Sequence, residues 1–144
     1  MSVWTMRCAP RIVMAICSLG IVSCVEPQDP LVGPLVGHWI EVDSPNRHLV
    51  LNADGSFSNF GGSGFDYWRT EGTFEVTGTM LRFTPLRFVS RSGAQSTEII
   101  IEPYPYGAVF ENCEFALASG LLVLHYTTYP ADAPVPTTMQ LERR

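Results

Sequence analysis

Lysine is absent from all 144 residues, and the nine basic side chains are all arginine. That removes the phosphate loop, whose lysine reaches the transferred phosphates, and it removes Schiff-base chemistry. Nucleic acid is not an expected partner either. Fourteen acids against nine scattered arginines leave the chain at −5, with no clustered basic face to neutralise phosphates. The apolar run Ile12–Val22 falls short of the roughly 18 residues that a spanning helix needs. Catalytic signatures are missing as well. Gly61-Gly62-Ser63-Gly64 is followed by Phe65 where a nucleophile elbow requires glycine, so a loop is the reading. His38, His48 and His125 stand at no metal-ligand spacing, and Asp54 opens a hairpin rather than a calcium loop. Glu41 and Asp43 alternate as a wet strand face does. No enzyme activity, metal or cofactor is expected. Disorder is excluded too, since 46% of residues are hydrophobic and the mean hydropathy is +0.13.

What is present begins with an address. Arg7 and Arg11 precede the apolar run, which ends in Ile21-Val22-Ser23-Cys24 before polarity turns abruptly at Glu26-Pro27-Gln28-Asp29-Pro30. The four positions and both flanks resemble the lipobox of bacterial lipoproteins. The resemblance implies a signal peptide over residues 1–23 and diacylglycerol on the Cys24 thiol, the only side chain that can form the thioether. Two or three acyl chains anchor a protein lastingly, where one holds it only marginally. Val25 in place of aspartate implies the outer membrane under the sorting pattern of enteric bacteria. The expected location is therefore the bacterial cell envelope, lipid-anchored and facing the periplasm. Met6 is as good a start as Met1 and leaves the lipobox unchanged.

Removing residues 1–23 leaves seven arginines against fourteen acids, a net −7. Cys8 and Cys17 leave with the signal, Cys24 takes lipid, and Cys113 remains without a disulfide partner despite an oxidising compartment. Pro27, Pro30 and Pro34 make residues 24–36 a semi-rigid tether, so one domain is expected over residues 37–144.

Within it no helical period survives. Strand patterns cover Gly37–Val42, Arg47–Asn52, Ser56–Phe60, Tyr67–Val76, Thr79–Thr84, Arg87–Arg91, Ser96–Glu102, Ala108–Leu117, Leu121–Thr127 and Thr137–Leu141. Asp54-Gly55, Thr77-Gly78, Ser92-Gly93 and Ser119-Gly120 supply hairpin turns between them. The fold class is all-β, and many short antiparallel strands joined by hairpins mean a sandwich or a barrel. Alternation sets Trp68, Gly72, Phe74 and Val76 on one face against Arg69, Glu71 and Glu75. The same alternation expects Ser96–Glu102 to have one buried face, with Ile99 and Ile101 opposed to Glu98, Ile100 and Glu102. The series Gly72, Phe74, Val76, Leu81, Phe83 recurs as Cys113, Phe115, Leu117, Leu122, Leu124, which places Cys113 in the core as a small apolar filler.

Gly37-His38-Trp39, an apolar strand at Leu49-Val50-Leu51, Asp54-Gly55-Ser56-Phe57, Gly72-Thr73-Phe74 and a strand with Leu81 follow in order. This series resembles the lipocalin-like domains of small bacterial lipoproteins over residues 35 to 85. The resemblance implies an antiparallel up-and-down barrel of about eight to ten short strands, with Trp39 plugging one end under an arginine (Arg143 or Arg144) in a cation–π contact. It further implies a ligand site in the barrel mouth, for which Trp39, Phe57, Trp68, Phe74, Phe83 and Phe115 are the candidate interior residues. Barrels of about eight strands are either filled by side chains or hold one small ligand. Two functions stay open: carriage of a small apolar ligand, or a protein-facing inhibitor or assembly module around a filled barrel. The anchoring expectation is checked by palmitate labelling, which Cys24→Ala should abolish; labelling that persists in the variant contradicts the lipobox.

Overall fold

The computed structural model describes residues 32–130 and 133–144, so the expected signal peptide over residues 1–23 and the expected lipidation site Cys24 lie outside the described residues. The strands are β1 (Gly37–Glu41), β2 (Ser44–Leu51), β3 (Ser56–Ser63), β4 (Asp66–Thr77), β5 (Met80–Arg91), β6 (Ile99–Ile101), β7 (Glu111–Ala118), β8 (Leu121–Thr128) and β9 (Val135–Arg143). Pairing runs β4-β3-β2-β1-β9-β8-β7-β5, and β4 bonds back to β5. The ring is an eight-stranded antiparallel up-and-down barrel, with β6 an extra strand on β5. Two of its turns use the residues expected of them, while Ser92-Gly93 opens a longer connection from β5 to β6. Ser119 and Gly120 both take positive φ (52° and 83°), as a two-residue hairpin of matching twist requires. At Asp54-Gly55 the Asp54 carboxylate accepts from the Ser56 amide at 2.9 Å, while Gly55 takes φ 79°.

β5 runs unbroken through Pro85, where the sequence pattern divides it in two. The reason lies across the pair. Pro85 sits opposite Gly72 at a bulge between Glu71 and Gly72, where a residue without an N–H is tolerated. A Cβ on Gly72 would stand 2.8 Å from Pro85 Cα and 2.9 Å from the Phe57 ring, so only glycine lets the strands meet there. A second difference is β6. The expected half-buried strand over Ser96–Glu102 shrinks to Ile99–Ile101, and all three side chains are exposed. It hangs outside the ring on one neighbour, so its alternation has no interior to face.

Order also reaches back before Gly37. A single turn, α1 (Val32–Leu35), closes with Val36 N–H donating to Val32 O at 3.1 Å and leaves Leu35 fully buried. The core then collects Trp39, Leu49, Leu51, Phe57, Phe74, Leu81, Phe83, Cys113, Phe115, Leu122, Leu124, Met139 and Leu141 from all eight barrel strands. Cys113 is 0% exposed, and burial pushes its thiol up to about 12, with Glu114 adding to the shift. It is a filler, as its parity requires.

Candidate functional site

One end of the barrel is sealed by Trp39. Its indole N–H donates to Leu35 O at 2.8 Å, which ties the ring to α1. The Arg143 guanidinium lies 4.6 Å from the ring centroid and donates to Pro34 O. Trp39 and Arg143 are cross-strand partners in the β1–β9 seam, so the contact that covers the plug also closes the sheet. Because the guanidinium is exposed on its outer side, a cation–π contact of this kind contributes about 0.5–1 kcal/mol.

Above the plug, four of the other candidate residues meet in the core cluster: Phe57, Phe74, Phe83 and Phe115. Phe83 is the hub. Its ring lies 5.0 Å from Phe57 edge-on, 6.4 Å from Phe74 and 5.2 Å from Phe110, and Phe110 meets Tyr126 at 4.9 Å. Each such pair adds about 0.5–1.5 kcal/mol beyond area burial. The rings are partners for one another.

Trp68 stands apart from them. It is half-buried at the other end, against Gly61, where a Cβ would touch its ring at 2.9 Å. Arg47 is 6.0 Å from the Trp68 ring and pairs with Glu41 at 3.4 Å. Tyr126 feels both charges, and burial raises its phenol above the ordinary value. Asn59 and Thr70, paired across β3 and β4, are the buried polar residues of the described chain. This end is polar and aromatic, but Glu41 is committed to Arg47 and faces no histidine. His38 and His48 instead meet on the outer wall, opposite in parity to Trp39 and Leu49. Their Nε2 and Nδ1 atoms are 2.8 Å apart, and His48 stacks on Phe60 at 4.6 Å. His125 bonds Thr138 at 3.0 Å on a separate stretch of wall.

The wall itself has a cleft. β5 pairs with β7 only at Met80 and Leu81, and with β6 only from Phe88 onward. Between these the preceding segment, 108–112, bends away; Phe110 and Asn112 both take φ 51°, which non-glycine residues adopt rarely. The opening encloses about 550 Å³ over a floor of Leu81, Phe83, Val109 and Phe110. That volume falls within the range of small-molecule sites. Phe110 was not among the sequence-derived interior residues because its even position puts it out of phase with Cys113 and Phe115. The backbone reversal at 110–112 restores it to the core.

No family model, curated protein or solved structure matches this chain. The chemistry of the site is therefore read from its own groups. Arg143 over Trp39 is the contact that the lipocalin-like pattern implies. Cys113 is sealed and held protonated, and Glu41 lies 3.4 Å from Arg47 in an ion pair.

The histidine pair makes stability depend on pH. Burial holds both imidazoles below the usual value of about 6.5, with Arg144 also acting on His38, and His38 and Arg144 on His48. The folded state thus prefers them neutral. Their contribution is present above about pH 6.5 and lost as pH falls through the lowered folded values, because the unfolded chain takes up protons first. Urea unfolding at about pH 7.5 and about pH 5.5 should show lower stability at the acid value. His48→Gln should shrink that difference. An undiminished difference in the variant contradicts the assignment.

Proposed function

We propose that this chain is a non-catalytic binding module of the bacterial cell envelope, held at the membrane by lipid on Cys24, that recognises a protein partner with the outside of a filled, lipocalin-like barrel. The observation that carries this reading is the occupied interior. Phe57, Phe74, Phe83 and Phe110 take the space a barrel ligand would need. An interior of about eight strands has room for side chains or for a ligand, not both. The Arg143–Trp39 contact supports the lipocalin-like likeness. The lipobox supports an anchored protein, with Val25 favouring the periplasmic face of the outer membrane. Exposed Phe65, Tyr106 and Tyr129 supply the aromatic surface that protein interfaces favour.

A second reading keeps a small apolar ligand but moves it from the mouth to the wall. It is favoured by the 550 Å³ cleft and its apolar floor.

The two are separated in cells making the full chain. With a photo-crosslinking residue at Phe65 or Tyr106, a discrete protein adduct is expected, and the purified chain should release no stoichiometric apolar molecule on denaturation. Release of one equivalent of such a molecule, lost on Phe110→Trp, overturns the protein-facing reading in favour of the cleft.

A further inference from the structure

The sheet order ends at β6, whose far edge bonds to no described strand. Along it Ile99, Ile100 and Ile101 are 60%, 57% and 36% exposed. Sheet edges are ordinarily blunted by lysine, proline or a covering segment, because an open row of amides pairs with any strand that reaches it. Three consecutive β-branched apolar residues on such an edge suit strand addition.

Charge decides what can add. Strand alternation sets Glu98 and Glu102 on the same side as Ile100, one on each flank. Glu98 accepts from the Tyr67 hydroxyl, which fixes its position. Glu102 lies beside Arg87, but that guanidinium is committed to Glu71. A second copy pairing antiparallel about Ile100 would set Glu98 against Glu102 at both ends, and like charges directly opposite destabilise a strand pair. Both chains are also net negative. Self-addition is therefore opposed, and the complementary arrangement is basic.

We propose that the Ile99–Ile101 edge docks an extended protein segment carrying basic residues two places before and two places after an apolar β-branched residue, added as a further strand to β6. This rests on the protein-facing reading above and names the chemistry of its partner.

The full chain in detergent micelles is titrated with a fluorescent peptide, Thr-Arg-Thr-Val-Thr-Arg-Thr, and with its counterpart carrying glutamate for both arginines. Anisotropy should show binding of the arginine peptide and affinity weaker by about tenfold or more for the glutamate peptide. Ile100→Arg, outside the barrel ring, should abolish binding while the circular dichroism stays unchanged. Glu98→Lys should weaken the arginine peptide and convert the chain to a dimer, since the new cation then faces Glu102 of the second copy at both ends. Equal affinity for the two peptides, no binding of the arginine peptide, or dimerisation of the unaltered chain through β6 overturns the proposal. If crosslinking at Phe65 or Tyr106 yields a protein adduct while the peptide fails, the edge is wrong and outward recognition stands. If both fail, the reading beneath falls as well.

Discussion

Phe83 is the residue on which the rest of this barrel leans. Its ring meets Phe57 from β3, Phe74 from β4 and Phe110 from the segment before β7, so one side chain joins walls far apart in sequence. For it to sit there, β4 and β5 must close tightly, which Gly72 permits by having no Cβ opposite Pro85. The 110–112 backbone must also turn through positive φ to bring Phe110 inward. That turn costs conformational energy of order 1 kcal/mol or more per residue and is offset by the aromatic contact it allows. The same bend opens the wall cleft. Filling and cleft are thus one feature seen from inside and outside.

A filled interior moves the functional question to the surface, where charge is sparse but ordered. On the outer wall Glu71 pairs with Arg69 at 2.6 Å and also takes the Arg87 guanidinium. Exposed pairs of this kind contribute little to stability; what they do is fix which charges are free. Glu102, exposed at the end of the isoleucine edge, acts on the Arg87 guanidinium that Glu71 already holds. The histidine pair on the β1–β2 wall is separate, and it makes the fold sensitive to mild acid without touching that edge.

The architecture was legible in the sequence because alternation and turn residues agree along most of the chain. Ser119-Gly120 and Asp54-Gly55 mark their hairpins, and parity alone puts Phe57, Phe74, Phe115 and Cys113 inside. Trp39 and a late arginine were readable from the lipocalin-like pattern, though the pattern did not choose between Arg143 and Arg144; the β1–β9 register chooses Arg143. What was not legible depends on long-range geometry. Pro85 breaks a strand in sequence but not in space, because a bulge in β5 itself, with Leu86 as the extra residue, absorbs it. Ile99–Ile101 reads as half-buried because alternation cannot say whether a strand belongs to the ring. Phe110 is hidden by a local reversal of phase, and His38 meets His48 only once two strands pair. Trp68 shares the core parity yet lies past the end of the packed layer.

The central claim, that the barrel is full, is tested most directly by removing its hub. Phe83→Ala should lower the free energy of unfolding by about 3–5 kcal/mol, the loss expected when a packed aromatic leaves a void that its neighbours cannot close. Benzene, added as a cavity filler, should recover part of that loss in the variant and leave the unaltered protein unchanged. A loss below about 1 kcal/mol, with benzene stabilising the unaltered chain, would mean that the barrel interior beside Phe83 is already empty. The interior would then be a ligand site after all.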